Sequence, residues 1–264
     1  MDNILIVGAD RGIGYYMVQS LLESGNCVAA LDINTKHISE LADSFPDRLL
    51  VFEADARDTE SVTEGVRKAF DAFGSIDIAI HNACLCTFES EPETEIETYR
   101  KVMDVNYYGA LRLAKAVLPI MREAKHGRLI FTSSGVGVTG FKNISPYASS
   151  KGAIESLAKC LAIENERCGI SVHIFHPPLT DTGSASGLPI PKEFKASAQK
   201  VGQGFAKHIN SKRFIICPNA SQAFSMFLSY RHPLRFGKLL TKATEGVESK
   251  DAQSHNRTNI NTEG

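Results

Sequence analysis

Apolar runs and amphipathic stretches alternate along most of the chain. Residues 3–7, NILIV, form an unbroken apolar run of strand length. Such a run reads as a strand buried on both faces. After a glycine-rich turn, YYMVQSLLESG carries its apolar residues at helical spacing. The same alternation then repeats. CVAALD, RLLVFEAD, IDIAI, GRLIFTSS and GISVHIFHP read as further strands. Between them, residues 35–45, TESVTEGVRKAFDAFG and residues 146–168 read as helices. ETYRKVMDVNYYGALRLAKAVLPIMREA reads as one long helix or two abutting ones.

Strands alternating with helices imply a parallel sheet covered on both faces. The expected fold is therefore α/β: a Rossmann-type, doubly wound parallel sheet in three αβα layers. It forms a single domain over residues 1–245. Ligands of such a sheet bind beyond the carboxyl ends of its strands. Residues 183–200, GSASGLPIPKEFKASAQK, are small, polar and broken by proline. They suggest a mobile substrate lid over about 179–200. QKVGQGFAKHI reads as a helix and RFIIC as a last short strand. SQAFSMFLSYRHPLRFGKLLTKA is helical, apolar on one side and broken near Pro233. It supplies capping helices over about 219–243 that pack on the core or close the substrate pocket. Residues 246–264 are polar and read as a disordered tail.

Composition narrows the field. The 264 residues are 43% hydrophobic and 22% charged, which suits a globular domain with a full core. The net charge of −1 argues against nucleic acid or an anionic membrane as the main partner. No apolar run approaches membrane-spanning length, and no leader pattern opens the chain. The basic residues of the C-terminal helices (Arg231, Arg235, Lys238, Lys242) are too few for firm membrane binding. Six cysteines are scattered. Cys84 and Cys86 form CxC without a second pair at zinc spacing, so no metal site is expected and the thiols read as buried and reduced. A cytoplasmic setting fits.

The candidate chemistry gathers at strand ends. GADRGIG joins the first strand to the first helix with Gly8, Arg11, Gly12, Ile13 and Gly14. Strand, glycine turn and helix are the setting of a dinucleotide site, where backbone N–H groups meet a pyrophosphate. Asp32 closes the second strand, eighteen residues past Gly14. A carboxylate there accepts from ribose hydroxyls and repels a 2′-phosphate, pointing to NAD rather than NADP. Arg11 offers a cation for a 2′-phosphate and points the other way, or else faces solvent. Asp55 and Ala56 suit an adenine pocket, and Asn82 and Ala83 follow the fourth strand, where Asn82 can pin the sheet beside the cofactor. Asn106 lies mid-helix between Val105 and Tyr107, where a buried amide needs a partner.

Tyr147 and Lys151 are four apart in SPYASSK, and Pro146 suits a first helical turn. They share one helix face, where the ammonium favours the phenolate and lowers the tyrosine pKa towards neutral. Ser134, just past a strand end, can hydrogen-bond the same substrate oxygen.

In these motifs the chain resembles the short-chain dehydrogenase/reductase family over roughly residues 2–216. TGxxxGxG appears as VGADRGIG, NNAG as HNAC, and the PG motif with its threonine as PPLTDT. The family's catalytic asparagine, serine, tyrosine and lysine match Asn106, Ser134, Tyr147 and Lys151. Its acidic residue after the second strand matches Asp32, and its adenine-pocket aspartate matches Asp55. The resemblance implies a dinucleotide held by Gly8, Arg11, Gly12, Ile13, Gly14, Asp32, Asp55, Ala56, Asn82, Ala83, Tyr147, Lys151, Pro177, Thr180 and Thr182. It implies hydride transfer between NAD(H) and a secondary alcohol or ketone, with Tyr147 as acid/base and Asn106 holding a relay water. It also implies a homodimer or homotetramer built through the helices of Asn106 and Tyr147. Three departures stand out: Val7 for threonine, Cys84 for glycine and Pro178 for glycine. The apolar C-terminal helix, with Phe224, Met226, Phe227 and Leu228, favours a hydrophobic steroid-, retinoid- or lipid-like substrate. Two other readings stay open. One is an NADPH-dependent carbonyl reductase using Arg11. The other is a non-catalytic NAD(H)-binding regulator, favoured by the departures and opposed by the intact catalytic set.

Overall fold

The computed structural model of the chain describes residues 1–188, 190 and 192–245. Seven strands make one parallel sheet: β1 (Asn3–Val7), β2 (Cys27–Asp32), β3 (Leu49–Glu53), β4 (Ile78–His81), β5 (Gly127–Thr132), β6 (Ile170–Phe175) and β9 (Ile215–Ile216). Their order is β3-β2-β1-β4-β5-β6-β9. From β1 the chain moves outwards through β2 and β3, then returns to place β4 on the other side. This reversal opens a crevice between β1 and β4, the place where doubly wound sheets take ligands. The register sets Val7 opposite both Leu31 and His81, so the turns after β1, β2 and β4 leave the sheet at one level.

The strands were legible because they are buried on both faces. Within β1, Leu5 and Val7 join one core cluster and Ile4 and Ile6 the other. That split is the two-residue period of a strand. The first cluster lies under α3 (Thr59–Phe73), α5 (Gly109–Ala124) and α7 (Ser145–Asn165). The second lies under α1 (Gly12–Glu23), α2 (Lys36–Ala42) and α8 (Ala198–His208). Local signals set some helix ends. Asp58 caps α3 by accepting from Glu60 and Ser61 N–H, and Gly74 ends it at a φ of 77°. Pro146 stands in the first turn of α7.

The long helical stretch before β5 divides. α4 (Ile96–Met103) passes through a π-helical turn, Asp104–Tyr108, into α5. The widened turn carries Asn106. The lid is more ordered at its ends than its composition suggests. Thr180 pairs with Ala196 and Asp181 with Ser197, joining β7 (Thr180–Asp181) to β8 (Ala196–Ser197) in parallel. α9 (Ala220–Arg231) and α10 (233–245) follow, broken at His232 just before Pro233. They pack beside α6 (Val136–Thr139): a Cβ on Gly237 would stand 2.8 Å from Thr139 O, and Lys142 N–H donates to Thr241 Oγ1. The expected polar tail, 246–264, lies outside the described residues. Among the described residues no helix is long and apolar enough to cross a membrane.

Candidate active site

The glycine turn packs tightly on its neighbours. Gly8 has a φ of +88°, and a Cβ there would lie 2.2 Å from Ala83 N. A Cβ on Gly14 would lie 2.0 Å from Gly8 O. Both glycines are therefore required by contacts within the protein, beyond any approach to a pyrophosphate. Asn82 and Ala83 N–H both donate to Val7 O, and Asn82 Nδ2 donates to Gly8 O at 2.8 Å. Thr132 Oγ1 donates to Asn82 Oδ1 at 3.1 Å. The Asn82 side chain thus ties the ends of β1, β4 and β5 together. Arg11, the residue before α1, provides no side-chain cap, so the first-turn N–H groups around Ile13 are open to an anion. This end of the crevice fits a dinucleotide's pyrophosphate.

The adenosine corner contains a residue that the sequence reading missed. Asp10 is almost fully buried. It accepts from His37 N–H, Ile38 N–H and, at 2.8 Å, from His37 Nδ1, so it caps α2. Burial alone would raise its pKa, but these donors hold it below the usual aspartate value. Asp10 N–H in turn donates to Asp32 Oδ2 at 2.9 Å, fixing the Asp32 carboxylate at the mouth of the site. Arg11 is largely exposed, with Nε 3.8 Å from Asp10 Oδ2. Asp55 is engaged by Arg57, whose guanidinium bonds both carboxylate oxygens and holds the acid below its usual range. An adenine amine at this carboxylate would share it with Arg57. Ala56 is buried and its carbonyl accepts from Arg112.

Tyr147 and Lys151 lie one turn apart on α7, with Lys151 Nζ 5.5 Å from the Tyr147 ring centre. Lys151 is 1% exposed and donates to Thr132 O at 2.8 Å. The Ser134 hydroxyl stands near enough to the Tyr147 phenol to favour its phenolate. The expected lowering of the tyrosine pKa does not hold in this state. Burial raises it well above its ordinary value, and Cys84 and Cys86 add to the rise; Ser134 opposes them. Burial likewise lowers Lys151, which weakens its hold on the phenolate. The thiols are not all buried, as expected from sequence. Cys84 and Cys86 are half-buried against the phenol and Cys160 is exposed. All six are free.

Asn106 is fully buried, and its amide is spent on protein groups rather than on a lysine-bound water. Oδ1 accepts from Leu85 N–H at 2.7 Å, while Nδ2 donates to Leu85 O and to Ser150 Oγ. It thereby fixes the Cys84–Cys86 segment against the helix that carries Tyr147. A histidine not singled out in the sequence, His81, ends β4. It is fully buried with no partner for either ring nitrogen among the described residues. Burial pushes its pKa down to about 3, so it is neutral.

The loop after β6 returns to the glycine turn. A Cβ on Gly12 would stand 3.0 Å from Thr182 Cγ2. Thr180 is buried and donates to Pro178 O, and Pro177 O accepts from Gln222 of α9. Gly8, Asp32, Asn82, Ser134 and Thr182 therefore all lie along the carboxyl edge of the sheet. One end of that edge suits a dinucleotide. The other brings together a phenol, a hydroxyl and a buried ammonium.

Comparison with known proteins agrees with this arrangement. The short chain dehydrogenase family profile matches residues 2–190. Oxidoreductase UcpA of Salmonella typhimurium is 35% identical over 191 residues, covering 70% of this chain and 71% of that protein. A short chain dehydrogenase/reductase from Burkholderia phymatum, solved with NAD, superposes with a TM-score of 0.78 at 18% identity, over 88% of this chain and 94% of that one. A gluconate 5-dehydrogenase from Burkholderia cenocepacia, solved with NADP and tartrate, superposes with a TM-score of 0.71 at 25% identity, over 79% and 88%. With three quarters of a doubly wound chain matched and a Tyr–Lys helix at the head of its sheet, this protein belongs to the short chain dehydrogenase family.

Proposed function

We propose that the protein is an NAD(H)-dependent oxidoreductase that interconverts a secondary alcohol and a ketone. The observation that carries the proposal is the grouping of Tyr147, Ser134 and Lys151 at the carboxyl edge beside the glycine turn. In the oxidative direction Tyr147 takes the proton from the substrate hydroxyl. Ser134 donates its single hydroxyl proton to the substrate oxygen. Lys151, fixed by Thr132 O, supplies a positive charge 5.5 Å from the ring centre and offsets part of the cost of forming the phenolate. NAD, when bound, accepts the hydride. Asn106 acts by holding the 84–86 segment and Ser150 in place.

Asp32 supports NAD over NADP. Its carboxylate is fixed by Asp10 N–H, and a 2′-phosphate would meet it with no cation between them, since Arg11 lies on the Asp10 side. The two superposed structures hold NAD in one case and NADP in the other, so the proposed preference rests on this pair of acids. The substrate is apolar in this reading. Phe88 and Phe141 pack with ring centres 6.4 Å apart on the two loops that flank Ser134 and Cys86, and Met226 reaches Gly135. The exposed apolar residues Ile96 on α4, Tyr108 in the π-helical turn and Ile163 on α7 support a homodimer or homotetramer through these helices. A cytoplasmic location completes the reading.

The test is NADH formation at alkaline pH with 2-octanol, cyclohexanol, a hydroxysteroid and a polyol, run in parallel with NADP. Turnover of an apolar alcohol with NAD, at least about tenfold above NADP, is the expected result. Asp32→Ala should cut that preference to within about threefold. A preference unchanged in Asp32→Ala would move selectivity elsewhere, and NADH binding without any turnover would favour a regulator.

A further inference from the structure

Glu155 follows Lys151 by one turn on α7 and is buried, at 4% exposure. A carboxylate in such a place needs donors, because an unpaired buried charge is strongly destabilising. It has three, each from a different part of the chain. Ser133 Oγ lies 3.2 Å from Oε1, at the end of β5 and next to Ser134. His176 Nε2 lies 3.3 Å from the same oxygen, at the end of β6 where the Pro177–Thr182 loop begins. Tyr230 OH donates to Oε2 at 2.7 Å from α9. His176 Nε2 also lies 3.2 Å from Tyr230 OH, whose own proton goes to Oε2, so both neighbours of Nε2 accept and that nitrogen carries the proton, while Nδ1 has no partner among the described residues. Burial would raise the Glu155 pKa, yet the donors, His176 first, hold it below the ordinary glutamate value. The carboxylate is therefore buried, ionised and engaged at both oxygens.

Tyr230 lies outside the stretch matched by the family profile, 2–190. It is the only member of the cluster from α9. The same helix closes on the substrate side of the site. A Cβ on Gly135, next to Ser134, would stand 3.3 Å from Met226 Sδ, and Gln222 Nε2 donates to Pro177 O at 3.3 Å. Asn219 caps the start of α9 by accepting from Gln222 N–H. Beyond these contacts the helix is weakly held: Phe224 and Phe227 are exposed, and only Met226 and Ser229 are buried. A helix with so little buried apolar surface depends on its polar anchors.

We propose that Tyr230 latches α9 onto the buried Glu155–His176 pair, so that this helix stands as a fixed wall of the substrate pocket. The latch touches neither substrate nor cofactor. It joins the catalytic helix, the loop after β6 and the C-terminal cap at one carboxylate, and so couples the position of Met226 to that of Ser134 and Lys151. Ser133 strengthens the coupling, since its hydroxyl also lies 3.3 Å from Lys151 O. Tyr230 is thus a positioning residue for substrate binding. This inference rests on the oxidoreductase reading for its kinetic consequence, but not for its structural one.

The test compares wild type with Tyr230→Phe, which removes one hydroxyl, and Glu155→Gln, which keeps an acceptor for Tyr230 without the charge. Amide hydrogen exchange needs no substrate. In Tyr230→Phe, exchange across 220–231 should quicken at least about tenfold while α1 and α5 keep wild-type rates, and Glu155→Gln should fall between the two. With 2-octanol as probe, the KM of Tyr230→Phe should rise roughly tenfold, with kcat and NADH affinity within about twofold of wild type. Wild-type exchange in α9 would overturn the latch. So would faster exchange spread evenly over the sheet, a fall in kcat at constant KM, or failure of Tyr230→Phe to fold. If 2-octanol is not turned over by wild type, the exchange result decides the latch by itself, and the substrate reading fails separately.

Discussion

Burial sets the Tyr147 phenol above its ordinary pKa, and the neighbouring Cys84 and Cys86 push it further the same way, while the Ser134 hydroxyl pulls it back. Alcohol oxidation uses the phenolate, so its rate climbs as pH passes through the tyrosine pKa and stays low beneath it. Cys84 stands where the resembling family carries glycine, and its presence beside the phenol raises the tyrosine pKa. Replacing it removes a group that disfavours the phenolate. The rising limb of the pH–rate profile for Cys84→Ala should therefore move towards neutral pH relative to wild type. A limb that stays in place, or moves to higher pH, would show that the thiol does not act on the tyrosine. Cys86 is a weaker handle: burial pushes its own pKa up to about 12, so it is a neutral thiol throughout the working range.

The π-helical turn between α4 and α5 shows how an element can be required by contacts made far away in sequence. Asn106 is read from the sequence as an amide in need of a partner, and it has three. The partners themselves, Leu85 and Ser150, are 21 and 44 residues away, so no local pattern names them. Asn106→Ala leaves Leu85 N–H, Leu85 O and Ser150 Oγ short of their bonds. We expect it to lose about 2–4 kcal/mol of unfolding free energy by urea titration, from bonds worth about 1 kcal/mol each plus the cost of buried groups left unpaired. A loss under about 0.5 kcal/mol would mean that water replaces the amide without penalty. The strands were far easier to read. β1 and β2 match their apolar runs residue for residue, because glycine and aspartate end them. β7, β8 and β9 span two residues each, too short for any period, and exist only through their partners. Asp10 and Glu155 also escaped notice. An acid in a turn or on a helix looks solvated in sequence, and only the fold brings it three donors.

At the scale of the whole molecule, the parallel sheet does most of the positioning. Its strands all run one way, so every βα turn opens on the same edge, and the reversal at β1 and β4 opens the crevice there. The glycine turn, Asp32, Asn82, Ser134 and Thr182 could thus be placed together from the sequence before any contact was known. The C-terminal helices could not. Their apolar faces show that they pack, but their docking depends on Tyr230, Gln222 and Gly237 meeting groups from α7, the loop after β6 and the segment after α6. This division follows the family profile, which ends at 190. The strand-end motifs and the Tyr147 helix lie inside that stretch, and the C-terminal helices lie outside it. The measurement that tests the account most directly is a single turnover of 2-octanol by saturating NAD, comparing wild type with Tyr147→Phe and following NADH. The account predicts a loss of at least about 10³-fold in the hydride-transfer rate, with NADH affinity within about twofold of wild type. A mutant that retains even a tenth of the wild-type rate would contradict the role of Tyr147 and with it the proposed chemistry.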